Sequence, residues 1–222
     1  MKLPLAAIAC AIPLYAGAVE FEGMVGMTTY KTVGNGTWYQ EGLPHKLDLN
    51  DAGVSLGLKG EITSWLDWHA NYVWLGRVRT DAIATPDDAN YSIKDKACIG
   101  ECIAHSRFMG NGFVHGLALT LEPHAEYKGW RIGVLGGPFL YTAKWNVTVD
   151  NWIPHAGAEP RTINANHRAK LNFGYTVGVS VSKGPVSVVW QRYFNKPKSD
   201  EPNGDFPGVW RHTDMLSVRY TF

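Results

Sequence analysis

Apolar and polar residues alternate with a period of two along several stretches of the chain. In residues 66–79 the apolar series is Leu66, Trp68, Ala70, Tyr72, Trp74, Gly76 and Val78, and the residues between them are mostly polar or charged. In residues 169–182 the alternation runs through seven residue pairs without a break. Such alternation is typical of a β-strand with one apolar and one polar face. Both stretches are therefore predicted to be strands.

A less strict alternation marks six further segments, which are residues 20–31, 54–59, 113–121, 130–135, 186–191 and 216–222. With the first two they predict eight strands, each close to the ~9–11 residues that a tilted transmembrane strand needs. The connections alternate in length. Short turns are expected around residues 60–64, 123–126 and 183–185, and long connections over residues 32–52, 80–109, 142–166 and 195–209.

This rhythm of short and long connections predicts the fold class. It is typical of an outer-membrane barrel with short periplasmic turns, long external loops and both termini in the periplasm. We therefore expect an all-β protein, an eight-stranded antiparallel up-and-down transmembrane β-barrel. After residue 18 the sequence has no apolar run of the ~20 residues that a membrane-spanning helix needs. A closed β-barrel is therefore the remaining way for an exported chain to span a membrane.

The alternation by itself does not decide which face meets lipid, because a soluble lipocalin-like barrel would place its apolar face inside. The bulky aromatic residues favour the membrane interpretation. They all fall on the apolar face and are Trp68, Tyr72, Trp74, Phe173, Tyr175 and Trp190. An eight-stranded barrel has an interior just wide enough for side chains. We therefore expect these aromatic residues to point outward, with glycine, serine, threonine and scattered charges inside.

The first residues read as a targeting segment. Lys2 precedes an apolar stretch over residues 3–15, and Ala16, Gly17 and Ala18 form a small-residue cleavage site. This pattern predicts a secretory signal peptide over residues 1–18 and a barrel domain over residues 19–222. A lipoprotein signal ending at Cys10 is the alternative, although the apolar stretch before that cysteine would be very short.

Composition excludes several classes of protein. A net charge of +1 argues against a nucleic-acid binder. A mean hydropathy of −0.17 argues against a bundle of membrane-spanning helices. The 8 histidines show no paired metal-ligand spacing, so no metal and no cofactor is expected. Cys98 and Cys102 remain after signal removal, and an exported chain makes them a predicted disulfide in the longest external connection.

The chain end carries a resemblance to a known family. Residues 215–222 finish in Phe222 with apolar residues at alternate positions before it, namely Leu216, Val218 and Tyr220. This end resembles the C-terminal assembly signal of Gram-negative outer-membrane proteins. With the signal peptide and eight strands, the chain resembles the small OmpA/OmpX-type barrels, which include the opacity-like proteins. The resemblance implies localisation in the cell outer membrane, insertion by the assembly machinery through Phe222, and contact with outer-membrane lipids and lipopolysaccharide.

The polar faces of the strands supply candidate interior residues. The predicted polar network of the lumen contains Lys59, Asp67, His69, Arg77, Arg131, Lys170 and Arg219, with Arg79, Glu122 and Arg211 as further inward candidates. Charges of both signs in a narrow interior are expected to pair, because a buried unpaired charge is costly. The expected result is a salt-bridged polar interior. Eight strands are too few for a wide pore.

Catalytic alternatives find little support in the motifs. Asp67 and His69 share a face, as an acid–base pair would, but they fall near the periplasmic end. Barrel-type lipid A deacylases carry a His-x-Ser motif, whereas His115 is followed by Gly116 and Leu117. No catalytic residues are therefore assigned. We expect a structural or surface-interaction role through the external loops, with an unknown surface partner; an enzyme acting on lipid A or peptides and a soluble periplasmic binder are the alternatives.

Overall fold

A computed structural model describes residues 18–31, 37–40, 43–83, 107–152, 159–196 and 211–222. Within them lie the strands β1 (Glu20–Lys31), β2 (Thr37–Gln40), β3 (Leu43–Asp48), β4 (Asn50–Thr63), β5 (Leu66–Ile83), β6 (Arg107–Tyr127), β7 (Trp130–Trp152), β8 (Arg161–Arg168), β9 (Asn172–Lys183), β10 (Val186–Phe194) and β11 (His212–Thr221). The described residues contain no helical segment with the length and hydropathy of a membrane span. Residues 1–17 of the predicted signal peptide, Cys98 and Cys102 lie outside the described residues.

Eight of the strands form a closed antiparallel ring. Its order is β1, β4, β5, β6, β7, β9, β10 and β11. The ring closes where β1 pairs with β11, from Glu22 opposite Thr221 to Lys31 opposite His212. Each strand pairs with the ring strand before it and the one after it in the chain. The predicted eight-stranded up-and-down barrel is confirmed.

Three short strands extend the sheet beyond the ring. β2 pairs with β3, and β3 in turn pairs with the end of β5, where Leu47 lies opposite Thr80. β8 pairs with the far half of β7, with Lys144 opposite Arg168. β2 and β3 lie inside the predicted long connection 32–52, and β8 lies mostly inside the predicted connection 142–166; both connections were expected to be loops. β7 is 23 residues long because its alternation continues past the apolar outer face, with polar side chains outside and apolar ones inside.

The short turns are tight and all lie at one end of the barrel. They fall at residues 64–65, 128–129 and 184–185. Lys128 and Gly129 have φ values of 51° and 76°, as in the two-residue hairpin turns that match strand twist. The turn expected around residues 123–126 is therefore displaced, because β6 continues in regular pairing until Tyr127 faces Trp130.

The outer wall of the barrel is an apolar belt, defined on β7 by Trp130, Ile132, Val134, Gly136, Pro138 and Leu140. On β9 the belt runs over residues 171–181, where Phe173 is 73% exposed. Both stretches match the length of a tilted transmembrane strand. The apolar side of the alternation therefore points outward, as expected. A soluble barrel in water would instead place this face in its interior.

The interior divides into two halves. Near the short turns it is polar and charged, as predicted. Further along it is apolar, with Phe139, Tyr141, Trp145 and Tyr193 almost completely buried. The ring of Phe139 stacks on Tyr141 at 5.2 Å between centroids and meets the edge of Tyr193 at 5.1 Å. The expectation of only small and polar side chains inside was therefore wrong for this half.

A β-bulge in β5 reverses the alternation of that strand. The pairing with β6 shifts between Trp74 and Arg77. Gly76 has a φ of 76°, and a Cβ there would lie 2.5 Å from the carbonyl oxygen of Ala52. The left-handed conformation and the close approach both require glycine. Beyond the bulge Val78 points inward and Arg77 points outward.

Replacing Gly76 with alanine should lower the free energy of unfolding by about 1–3 kcal/mol, the usual cost of a strained left-handed residue. Gly136→Ala is the matched control, because a Cβ at Gly136 would meet nothing within 4 Å. Urea unfolding of both variants in detergent micelles measures the difference. Equal stability of the two variants would show that the bulge does not depend on glycine.

Candidate functional site

A buried carboxylate, Glu122 of β6, lies at the centre of the polar half of the interior. Arg219 donates to it from Nη1 at 2.9 Å and from Nη2 at 3.3 Å. Ser180 donates its hydroxyl to the Oε1 atom at 2.5 Å. Nε2 of His69 lies 2.9 Å from Oε2. Strands β5, β6, β9 and β11 each contribute one of these side chains, so the cluster ties opposite walls of the barrel together.

A second buried carboxylate, Glu22 of β1, completes the cluster. Nδ1 of His69 lies 3.0 Å from its Oε1 atom, and the side-chain amide of Asn71 donates to the same oxygen at 2.6 Å. Nε of Arg219 is 3.8 Å from Oε2. Glu22 was not among the predicted lumen residues, although it alternates with the apolar Phe21. Period-two counting along β1 would have placed it inside.

His69 lies between the two carboxylates. Each ring nitrogen lies within 3.0 Å of a carboxylate oxygen, so the imidazolium is the form whose charge pairs with both carboxylates. The cluster then holds two negative and two positive charges. Mutual pairing of this kind is what permits four ionised groups to be buried together. We call Glu22, His69, Glu122 and Arg219 the interior ion cluster.

A second ion cluster lines the mouth of the barrel at the short-turn end. Asp67 lies 3.0 Å from Nη1 of Arg131 and 3.3 Å from Nζ of Lys59. Arg131 also pairs with Glu126 at 3.0 Å. A polar cavity of about 370 Å³ opens between this mouth cluster and the interior ion cluster. The charged groups are thus arranged in two layers near the short turns.

Four of the ten inward candidates, two of them in the predicted lumen network, are exposed instead. The structure places Lys59, Asp67, His69, Arg131 and Arg219 in the interior or at its mouth, together with Glu122. Arg77 is exposed on the outer wall because of the bulge at Gly76, and Arg79 follows it. Lys170 is exposed because the chain passes from β8 to β9 at residues 169–171, where the alternation is interrupted. Arg211 is also exposed.

The predicted assembly residues share the outer face of β11. Leu216, Val218, Tyr220 and Phe222 are 57%, 50%, 45% and 76% exposed. The backbone N–H of Phe222 donates to the carbonyl oxygen of Phe21 at 2.9 Å. The Tyr220 and Phe222 rings meet edge to face at 4.8 Å. These residues therefore lie at the seam between the first and last strands, and their role in assembly stays a prediction.

Charged groups also occur on the outer wall, including Arg192 opposite Val177 of the belt. Arg192 makes two hydrogen bonds to Asp214, at 2.6 and 2.9 Å. Arg79 lies 3.4 Å from Asp51. Arg107 donates to Asp81, and this hydrogen bond holds the pKa of the aspartate below its ordinary value. The Arg107–Asp81 pair is exposed and is expected to contribute little to stability, whereas the aspartates of the other two pairs are half-buried.

The chemistry available in the described residues is that of ion pairing. They contain no group of three or more histidine, cysteine or acidic residues placed to hold a metal ion. His69 of the suggested Asp67–His69 pair contacts Glu22 and Glu122. Asp67 contacts the arginine and lysine of the mouth cluster. Both side chains are thus engaged in ion pairs, in different clusters.

A closed eight-stranded ring, an apolar belt and a charged interior define a small β-barrel of the outer-membrane type. Ail, the attachment invasion locus protein of Yersinia pestis, has a similar structure, with 13% identity, a TM-score of 0.46 and coverage of 92% of this chain and 99% of that chain. A major outer membrane protein of Thermus thermophilus shares 12% identity, with a TM-score of 0.43 and coverage of 92% and 100%.

An outer membrane channel of Pseudomonas putida is less similar, with 10% identity, a TM-score of 0.26 and coverage of 95% of this chain and 99% of that chain. No family model and no curated protein matches the sequence. The fold is therefore assigned from the strand pairing of this chain itself.

Proposed function

We propose that the chain is an integral protein of the Gram-negative outer membrane, with a structural or surface-interaction role. The apolar belt carries this proposal. It is continuous around the ring, and examples from four strands are Val25, Leu119, Val134 and Val188, all at least 40% exposed. A folded protein in water does not leave so large an apolar surface open. Hydrocarbon is the environment in which this wall is stable.

The filled interior supports a role other than that of a wide pore. The interior ion cluster crosses the barrel near the short turns. The buried aromatic residues Phe139, Tyr141 and Tyr193 fill it further along. Eight strands leave room for side chains and little else. We therefore assign the function to the surfaces of the barrel.

The long-connection end is the surface we propose for interaction. β7 continues from Leu140 at the edge of the belt to Trp152, a further ~40 Å along the strand. β6 and β8 accompany it, and the β2–β3 hairpin stands on β5. A platform of paired strands therefore extends outside the membrane, where a surface partner would meet it.

Membrane fractionation combined with heat-modifiable migration in detergent tests the proposal. The folded chain should sediment with outer membranes and migrate faster before boiling than after it, because a closed barrel resists detergent unfolding. Recovery of folded protein in the soluble periplasmic fraction would instead support the lipocalin-like alternative.

Replacing Phe222 with alanine should reduce the amount of folded barrel in outer membranes severalfold, because the terminal aromatic residue is the proposed contact for the assembly machinery. Phe21→Ala is the matched control. Phe21 lies on the adjacent strand and is 69% exposed on the same wall, so it tests loss of an exposed ring alone. Immunoblotting of unboiled membrane fractions gives the folded amount. Equal yields from the two variants would contradict a special role for Phe222.

A further inference from the structure

An ion pair lies on the outer wall of the barrel, inside the apolar belt. Arg192 of β10 donates to Asp214 of β11 from Nε at 2.6 Å and from Nη2 at 2.9 Å. On its other side Arg192 lies opposite Val177, near the middle of the apolar stretch of β9. Trp190 and Phe194 are the outward residues before and after it on β10. The guanidinium therefore has apolar neighbours on three sides.

Such a pair is unusual on a wall that meets only lipid. Charge on the lipid face of a barrel is destabilising, most of all near the bilayer midplane. Ionisable residues within membrane segments usually face protein or water and indicate a functional surface. The side chains of Arg192 and Asp214 are 35% and 18% exposed, so the neighbouring rings do not cover them fully. A polar partner for this part of the wall is therefore expected.

The pair has hydrogen-bonding groups left to offer. Two N–H groups of the guanidinium bind Asp214, and within the part of the chain that the structure describes no further acceptor atom contacts Arg192. The Trp190 ring centroid lies 5.4 Å from Cζ of Arg192, which supports the cation from one side. Thr29 lies opposite Asp214 on β1 but donates its hydroxyl to Asn50. Unused N–H groups and unused carboxylate lone pairs therefore lie side by side.

A surface that offers a donor beside an acceptor is complementary to a second copy of itself. Copies inserted by one route cross the membrane in the same direction, so the two-fold axis of a pair of copies runs along the membrane normal. If this axis passes in front of the β10–β11 ladder, β10 of one copy faces β11 of the other. Strands ~4.8 Å apart and tilted by roughly 40° place Arg192 and Asp214 about 3 Å apart in depth. The arginine stem spans that difference, so each guanidinium would meet the carboxylate of the other copy.

Trp190 adds an apolar contact close to the same axis. It is the next outward residue of β10 towards the short turns. Two residues along a tilted strand move it sideways by only about 5 Å from Arg192, so the Trp190 rings of two copies would pack near the axis. Leu216, opposite Trp190 on β11, is 57% exposed beside it. The charges fix the register of such a contact, and the apolar side chains exclude lipid from it.

We propose that two copies of the chain associate in the membrane through the β10–β11 face, with Arg192 of each copy paired to Asp214 of the other. The inference rests on the proposed membrane location, because the apolar wall is open only in hydrocarbon. Both copies direct their long connections to the same side of the membrane. The pair of copies presents two platforms side by side, and a partner with two binding sites gains avidity from both.

Förster transfer between donor-labelled and acceptor-labelled copies in lipid vesicles measures this association. The refolded mature chain carries Cys98→Ser and Cys102→Ser and is labelled through Ser64→Cys, in an exposed short turn. Dilution with lipid gives the dissociation constant. Transfer above the random level that falls on dilution is expected. Random transfer at every dilution would overturn the association.

The test variant combines Arg192→Leu with Asp214→Leu, and it should associate about tenfold or more weakly because two charge-assisted contacts are lost. It should still fold, since apolar residues can replace an ion pair. The matched control combines Arg107→Leu with Asp81→Leu, which removes an ion pair of the outer wall from β5 and β6. This control and the exchanged pair Arg192→Asp, Asp214→Arg should associate like the unaltered wall. Undiminished association of the test variant would overturn the proposal.

Disulfide cross-linking tests the face without altering the ion pair. Trp190→Cys, in the same cysteine-free chain, should form covalent dimers because the axis passes close to it. Trp74→Cys is the matched control, since Trp74 is a partly buried outward tryptophan of β5, on the opposite side of the ring. Equal cross-linking at both positions would overturn the β10–β11 face. Absence of heat-modifiable migration in the unaltered chain would instead refute the membrane location.

Discussion

Replacing Glu122 with leucine is expected to lower the free energy of unfolding by about 3–5 kcal/mol, the range seen when one partner of a buried ion pair is removed. The substitution leaves Arg219 and His69 facing a side chain that accepts no hydrogen bond, and Ser180 loses its acceptor. The remaining charges would be buried without balance. Urea unfolding of the refolded barrel in vesicles measures the effect.

Glu126→Leu is the matched control, because Glu126 pairs with Arg131 but its side chain is 62% exposed. Removing an exposed pair should cost less than about 1 kcal/mol. Combining Glu122→Leu with Arg219→Met should recover part of the loss, since the unpaired cation is removed as well. Similar losses for the Glu122 and Glu126 variants would show that the interior ion cluster is not the main polar support of the barrel.

Replacing Val177 with arginine should lower the free energy of unfolding by about 2–4 kcal/mol in vesicles, the cost of that charge near the bilayer midplane. Val177 is 41% exposed and lies near the middle of the apolar stretch of β9. The arginine would lie opposite Arg192 of β10, whose carboxylate partner Asp214 is already engaged, so like-charge repulsion adds to the cost of placing it in hydrocarbon.

Asn166→Arg is the corresponding control beyond the belt. Asn166 is exposed on β8 and faces Asn146, two residue pairs beyond Lys144 opposite Arg168. The cost of a lipid-facing arginine falls to about 0–1 kcal/mol near the membrane interface. A harmless Val177→Arg, or equal losses for both variants, would contradict the placement of the belt in hydrocarbon.

The barrel itself could be predicted because its signal is repetitive. Eight segments alternate with a period of two, and bulky residues such as Trp68 and Phe173 fall on one face. Side-chain size then decides the direction of that face, since eight strands enclose little space. The strands β2, β3 and β8 were not predicted. Their pairing depends on the ends of β5 and β7, which the local pattern does not specify.

The charged residues were harder to assign than the strands. Asp67, His69 and Arg219 follow an unbroken alternation and point inward. Arg77 does not, because a single left-handed glycine shifts the phase of everything after it. Sequence alternation is continuous through Gly76, so nothing in the pattern marks the bulge. The alternation shows which face a residue is on, but it does not show how far along the barrel axis the residue lies. For this reason the apolar half of the interior, away from the short turns, was not predicted.

The central claim is that the apolar wall faces lipid and the polar face encloses the interior. Spin labels placed one at a time over residues 173–182, in a mature chain carrying Cys98→Ser and Cys102→Ser, test it most directly through their accessibility to oxygen in vesicles. We expect maxima at Phe173, Tyr175, Val177, Val179 and Val181, and minima at the residues between them. Maxima at Gly174, Thr176, Gly178, Ser180 and Ser182 would instead mean that the barrel is inside out, and uniform accessibility would contradict a membrane-spanning strand.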